Sequence, residues 1–193
     1  CSGPLDGPAR ATAVYDLLTK HYVEDADGQF RVDYSIPFLK GALTPPDYHQ
    51  EWVIGVRGKG KLSGFISGIP VSMVVNGQRV QMCEVNFLCV HKKLREMRLA
   101  PMLIKELTRR VNLRDQWQAI YTSGTTLPTP FATAQYWHRN LNPQKLVDIR
   151  FAFKPADTPM AKFVKRHKLA AETGTQNLRP MIEADIPKVA FAL

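Results

Sequence analysis

Glu84-Val85-Asn86-Phe87-Leu88-Cys89-Val90-His91-Lys92 is the stretch on which the fold turns, because the hydrophobic period changes just after it. Up to Val90 the residues read as a strand, in which alternate side chains face one side. Read that way, Cys83, Val85, Phe87 and Cys89 share a single core face. Beyond it the spacing becomes helical: Ala100, Leu103, Ile104, Leu107 and Val111 form one face, and Lys105, Glu106, Arg109 and Arg110 the other. Pro101 suits the first turn of that helix, where its missing N–H costs nothing. A further strand, Gln118 to Thr122, follows. Strand, basic loop, helix and strand in this order make a βαβ unit, which requires two parallel strands and a right-handed crossover.

Working outward, Val14, Leu17, Leu18 and Tyr22 fall at helical spacing, so residues 11 to 22 read as an amphipathic helix ended by Glu24-Asp25-Ala26-Asp27-Gly28. A short apolar segment precedes Pro45-Pro46. Glu51 to Val56 and Lys61 to Ile69 then read as a hairpin around Gly58-Lys59-Gly60. Val71 to Val75 and Arg79 to Val90 read as a second hairpin, turned by Asn76-Gly77, a pair suited to the positive backbone angles of a primed turn. The fold class expected is α/β (α+β), with a mixed, mostly antiparallel sheet and flanking helices. The tail from Pro155 to Gly174 is polar and basic and reads as a mobile loop or a short helix.

At 193 residues and 45% hydrophobic composition the chain can bury one sizeable core. No apolar run approaches the ~20 residues of a membrane span, and the N-terminus lacks the layout of a secretory signal. Cys83 and Cys89 on one strand would stand ~20 Å apart, beyond disulfide reach, which points to free thiols in a reducing, cytoplasmic compartment. The formal charge is +9, and residues 91 to 114 hold eight Lys and Arg against Glu96 and Glu106. Such a cluster attracts nucleic acid, an acidic membrane surface or a phosphorylated small molecule. Cys89 reads as a core thiol, and His138 as a structural or cleft residue. His21, His49, His91 and His167 lack partners at metal-ligand spacing, so no metal is expected.

The opening stretch also resembles, residue for residue, a signature segment of the N-myristoyltransferases. The resemblance runs on in order through Arg98-Leu99-Ala100-Pro101, Thr108-Arg109-Arg110-Val111-Asn112, Tyr136-Trp137-His138-Arg139, Leu141-Asn142-Pro143 and Leu178-Arg179-Pro180-Met181. Upstream it includes Tyr22-Val23-Glu24-Asp25, Asp33-Tyr34-Ser35 and Gly64-Phe65-Ile66-Ser67. It covers nearly all of residues 11 to 188 but only the family's first half. It implies the GNAT-like acyl-CoA N-acyltransferase fold, myristoyl-CoA as acyl donor, and N-terminal glycine peptides of substrate proteins as acceptors. Residues 1 to 10 read as a remnant outside the fold, 11 to 188 as the acyl-CoA-binding half, and 189 to 193 as the start of the second half, which is expected to be missing.

Three constellations follow from the resemblance. The acyl-CoA loop lies at the strand end and helix start. Arg95-x-x-Arg98-x-Ala100 resembles the GNAT phosphate loop, so the backbone amides of Arg95, Glu96, Met97, Arg98, Leu99 and Ala100 are expected to hold the phosphates. Leu88, Cys89 and Val90 then lie along the thioester and pantetheine. A helix N-terminus suits this work, because its unpaired N–H groups and partial positive charge bind anions. The backbone amides of Phe87 and Leu88 are expected to form the oxyanion site. Asn86 and Thr122, at the ends of the two βαβ strands, are expected to orient the substrate amine. The family's base is its C-terminal carboxylate, so the chain alone is expected to bind acyl-CoA without useful transfer and to self-associate through an uncovered face. Val23 to Ser35 resembles the family's lid. Two alternatives compete: a GNAT-type acetyltransferase on small amines, and a basic nucleic-acid-binding domain. The amphipathic helix and the phosphate-sized cluster at its start argue against nucleic acid.

Overall fold

The computed structural model describes residues 8–24, 28–125, 127–172 and 174–192. Most of the expected remnant, residues 1 to 10, and Asp25-Ala26-Asp27 at the end of the first helix lie outside the described residues. The chain divides into two compact units, Cys1–Thr133 and Ala134–Leu193, where length alone suggests one domain.

The first unit holds a four-stranded mixed sheet in the order β1-β2-β3-β4, with helices α1 (Pro8–His21), α2 (Ile36–Leu43) and α3 (Leu99–Asn112). Strands β1 (Val53–Gly58), β2 (Lys61–Val75) and β3 (Gln78–Val90) are antiparallel neighbours, and β4 (Ala119–Ile120) runs parallel to β3. Both hairpins close through two left-handed residues: Lys59 and Gly60 at φ 50° and 80°, and Asn76 and Gly77 at φ 50° and 77°. Such pairs match the twist of the flanking strands.

Four expectations about the elements need correction. The segments read as Lys61 to Ile69 and Val71 to Val75 are one unbroken strand through Pro70. Pro70 opposes Cys83, whose N–H is turned away to the Gln118 carbonyl at 3.0 Å. The nitrogen of Pro70 is therefore on the side away from β3, and there β1 has already stopped pairing at Val53↔Ser67. Residues 50 to 52 form a 3₁₀ turn, so β1 starts at Val53. Only Ala119–Ile120 of the expected Gln118 to Thr122 strand pairs. Ile104, assigned to the core face of α3, is 46% exposed.

The fifth correction decides the site. Phe65 opposes Cys89 and Ser67 opposes Asn86, so Ile66 alone stands against the two residues Phe87 and Leu88. Phe87 has φ 56°, the left-handed conformation of a β-bulge. One extra residue reverses the facing of every side chain beyond it. Cys83 and Val85 accordingly pack toward α3, with Ile66, Leu103, Leu107 and Val111. Phe87 and Cys89 pack on the opposite face, with Val14, Leu17 and Leu18 of α1 and Leu39 and Leu43 of α2. The four residues expected on one face are split between two. Leu88 and Val90 take over the α3 side.

Gly68 lets α3 settle closely on β2: a Cβ there would lie 2.5 Å from Cys83 Sγ and 3.3 Å from a Leu107 methyl. α3 thus seals one face of the sheet and α1 with α2 the other.

The second unit contains α4 (Pro143–Asp148), α5 (Met160–His167) and α6 (Ile186–Ala192). Asn142 caps α4 by accepting the Lys145 N–H. Within the basic tail, α5 buries Phe163, so that stretch is the short helix of the two forms expected. Arg139 donates to the carbonyl of Lys168 at 3.1 Å, and Arg179 grips Asp185 through two 2.6 Å hydrogen bonds.

Candidate functional site

Parallel pairing between β3 and β4 ends at Glu84↔Ile120. Beyond that point β3 stays with β2, while residues 121 to 124 leave the sheet. The gap between them opens into a cavity of about 490 Å³, a volume typical of small-molecule sites. Its apolar wall includes Val85, Leu88, Ile104, Leu107 and Trp117. This explains Ile104: its side chain completes the cavity wall rather than the core.

Asn86 and Thr122 each lie two residues past the last parallel pair, and both line the cavity. Asn86 is within β3, next to the bulge, rather than at the strand's end. Its carbonyl accepts a hydrogen bond from the Ser67 hydroxyl at 3.0 Å, which fixes the backbone just before the bulge. Phe87 and Leu88 also line the cavity, and the bulge releases their segment from the regular β2 ladder. A left-handed non-glycine residue costs about 1–2 kcal/mol and persists only where its surroundings enforce it. Here an aromatic cluster does so: the Phe87 ring lies 5.9 Å from that of Tyr22 and 5.6 Å, edge-on, from that of Tyr34.

Tyr22 is a site residue that the sequence reading leaves out. It lines the cavity, and burial pushes its phenol above the ordinary tyrosine range, with Tyr34 adding to the shift and a hydrogen bond from the Phe87 backbone opposing it. In the sequence it is marked by the apolar stripe of the first helix and by the quoted stretch Tyr22-Val23-Glu24-Asp25, neither of which points to a site.

The expected phosphate loop is not a loop. Residues Lys92–Met97 form a 3₁₀ helix, and Arg98, at φ 53°, turns the chain into α3. Arg95, Glu96 and Met97 thus lie on the 3₁₀ helix, with Leu99 and Ala100 starting α3. Arg98 is the N-cap residue of α3 and offers no side-chain hydrogen bond, so no cap competes for the amides of the first turn. The Arg95 guanidinium donates instead to the His21 carbonyl at 2.8 Å. Lys92 bonds Glu24 at 2.6 Å and Arg31 bonds it at 2.9 Å, which together hold the Glu24 carboxyl down at about 2. The base of the lid-like segment is tied in this way to the 3₁₀ helix.

Of the residues expected along the thioester, Leu88 lines the cavity, whereas Cys89 and Val90 are buried on opposite faces and do not. Burial pushes the Cys89 thiol up to about 11 and the Cys83 thiol up to about 12. Burial thus disfavours the reactive thiolate at both positions, although Cys83 lines the cavity. Among the described residues no group of three His, Cys, Asp or Glu is placed to hold a metal, and no helix is long and apolar enough to cross a membrane. His138 lies in the second unit and is exposed.

The arrangement has known counterparts. The chain is 53% identical over 188 residues to the glycylpeptide N-tetradecanoyltransferase of Dictyostelium discoideum, covering 96% of this chain and 45% of that protein. It is 52% identical over 182 residues to glycylpeptide N-tetradecanoyltransferase 1 of Arabidopsis thaliana, covering 93% of this chain and 42% of that protein. The chain thus spans less than half the length of these relatives. A crystal structure of Saccharomyces cerevisiae N-myristoyltransferase with bound myristoyl-CoA superposes with a TM-score of 0.90 at 44% identity, over 99% of this chain and 46% of that one. Residues 3–134 match the N-terminal domain of myristoyl-CoA:protein N-myristoyltransferase, and that match ends one residue past the first compact unit, which ends at Thr133. The chain belongs to the myristoyl-CoA:protein N-myristoyltransferase family.

Proposed function

We propose that this chain forms the acyl-CoA-binding part of a cytoplasmic enzyme that transfers myristate from myristoyl-CoA to the N-terminal glycine amine of protein substrates, on a GNAT-like framework. The observation that carries the reading is the bulge at Phe87 and Leu88, set in the wall of an apolar cavity that opens between parting strands. Attack of the amine on the thioester carbon moves the carbonyl electron pair onto oxygen. The backbone amides at the bulge, that of Leu88 and, once the Tyr22 phenol is displaced from it, that of Phe87, would supply donors for that charge, worth ~3–4 kcal/mol each where such donors have been removed. The uncapped start of α3, with Arg98 beside it, is suited to the CoA phosphates. Asn86 and Thr122 offer polar side chains on either side of the gap for the incoming ammonium.

None of the described cavity-lining residues is a carboxylate or a histidine. A proton acceptor for the ammonium must therefore come from outside this lining, which fits a chain that spans under half the length of its relatives. The second half of the family, and glycine peptides, are the partners this reading requires.

The test is binding followed by turnover. Calorimetry should show myristoyl-CoA binding the chain at least about tenfold more tightly than acetyl-CoA, because the longer chain buries more apolar surface. Equal affinities would favour an acetyltransferase acting on small amines. Arg98→Ala should weaken CoA binding about threefold to tenfold through the lost charge. Thiol release with a glycine peptide should be negligible for this chain alone, and turnover of ~1 to 10³ per second would show that the site is self-sufficient.

A further inference from the structure

Two histidines meet where α1 ends. The rings of His21 and His91 lie with centroids 4.0 Å apart. His21 is the last residue of α1, and His91 precedes the 3₁₀ helix Lys92–Met97. His91 Nδ1 accepts the Lys93 N–H at 3.2 Å, so it caps the 3₁₀ helix and carries no proton on that atom. His21 Nδ1 is buried without a hydrogen-bond partner among the described residues. Arg95 reaches back from the 3₁₀ helix to the His21 carbonyl at 2.8 Å, at a helix C-terminus that favours a cation.

The charged groups around the pair are Lys92 and Arg95 from the 3₁₀ helix, and Glu24 and Arg31 from the segment after α1. One carboxylate thus stands among three cations beside two imidazoles. Burial first, then His91, Lys92, Arg95 and Arg31, hold His21 below the ordinary histidine range. A proton on either ring adds a fourth cation to this set, and on His91 Nδ1 it also removes the cap.

We propose that His21, His91 and Arg95 are positioning residues that clasp the phosphate-binding start of α3 to the end of α1, and that proton uptake by the histidine pair releases this clasp and weakens acyl-CoA binding. The consequence for binding rests on the phosphate-site reading given above; the clasp itself does not. The sign follows from linkage. A histidine that docks with its proton affinity lowered binds protons more readily when undocked, so docking is at full strength above pH 6.5 and weakens as pH falls below it.

Amide hydrogen exchange over residues 93 to 98 of the free chain, corrected for intrinsic exchange chemistry, reads the clasp without any ligand. Protection should fall about threefold to tenfold between about pH 7.5 and about pH 5.5, and coenzyme A affinity by calorimetry should fall by a similar factor. 3′-Dephospho-coenzyme A run in parallel removes the contribution of the titrating 3′-phosphate. His91→Asn combined with His21→Asn keeps a capping oxygen but takes up no proton, so both slopes should flatten. Arg95→Ala should lower protection at both pH values, and Arg95→Lys should restore part of it. Protection that does not change with pH in the wild type, or a wild-type slope in the double asparagine variant, overturns the clasp. If the double variant does not fold, His21→Asn alone should flatten the slope, and a wild-type slope in it likewise overturns the clasp. If protection follows pH as expected but coenzyme A binds at neither pH, the clasp stands and the phosphate-site reading falls.

Discussion

Cys83 and Cys89 are the same residue type, six positions apart on the same strand, and both are buried, at 0% and 3% exposure. An even separation places two strand residues on one face. These two nevertheless lie on opposite faces, Cys83 under α3 beside Gly68 and Cys89 against α1, where its Sγ approaches the Leu17 carbonyl at 3.9 Å. The difference is the one extra residue at the bulge. Ahead of the bulge β3 keeps a regular ladder with β2; at the bulge Phe87 and Leu88 leave that ladder in the wall of the cavity. A single inserted residue thus splits one strand between two packing faces beside the cavity.

The most direct way to break this contrast is to delete Phe87. The ladder would become regular, with Leu88 against Ile66, while Cys83 and Cys89, then five positions apart, keep their opposite faces and Leu88 and Val90 stay on the α3 side. The expected loss is about 3–5 kcal/mol, that of the Phe87 ring packing, so circular dichroism should still show a cooperative but earlier melting transition, and a complete loss of cooperative melting would show that the bulge itself holds the fold. Substitution at the same position separates side chain from backbone. Phe87→Ala should cost about 3–5 kcal/mol through the lost aromatic packing. Phe87→Gly loses the same ring but fits φ 56° without strain, so it should be less destabilised than Phe87→Ala by about 1 kcal/mol in urea titrations. A glycine variant worse than alanine would show that the left-handed conformation is not enforced.

On the Cys83 side, Gly68→Ala places a Cβ 2.5 Å from Cys83 Sγ, and the cost should be about 1–3 kcal/mol. Adding Cys83→Ala should recover a good part of it by removing the sulfur, and purely additive effects would contradict the close contact. The gentlest test uses the thiols themselves. The unfolded chain releases their protons as pH rises past 9.0, whereas the fold retains them to about 12 at Cys83 and about 11 at Cys89. Their contribution to stability is therefore complete below pH 9.0 and declines above it. Urea midpoints should fall across the alkaline range with a shallower slope in Cys83→Ala, and iodoacetamide should modify neither Cys83 nor Cys89 until the chain unfolds.

Much of the first unit was legible because its signals are local. Asn76-Gly77 selects a turn from two residues, and the change from period two to helical spacing after Val90 marks the βαβ unit by itself. Asn86, Leu88 and Thr122 were singled out through the resemblance to a family, and all three line the cavity. Tyr22 was missed, because a tyrosine at the end of an amphipathic helix reads as core until the bulge brings the Phe87 backbone to it.

By itself, then, the sequence determined the turns, the order of the elements and the helix start at which Arg98 stands, since each depends on residues a few positions apart. Tertiary structure alone decided how β2 runs through Pro70, where β4 stops, and which faces Phe87 and Cys89 occupy. Each of these depends on a neighbouring strand: β1 must end before Pro70, β4 must leave β3 after Ile120, and Ile66 must stand alone against two residues. A bulge at phenylalanine has no sequence mark of its own, because the residue does not favour the left-handed conformation. The rings of Tyr22 and Tyr34, far from Phe87 along the chain, hold it there.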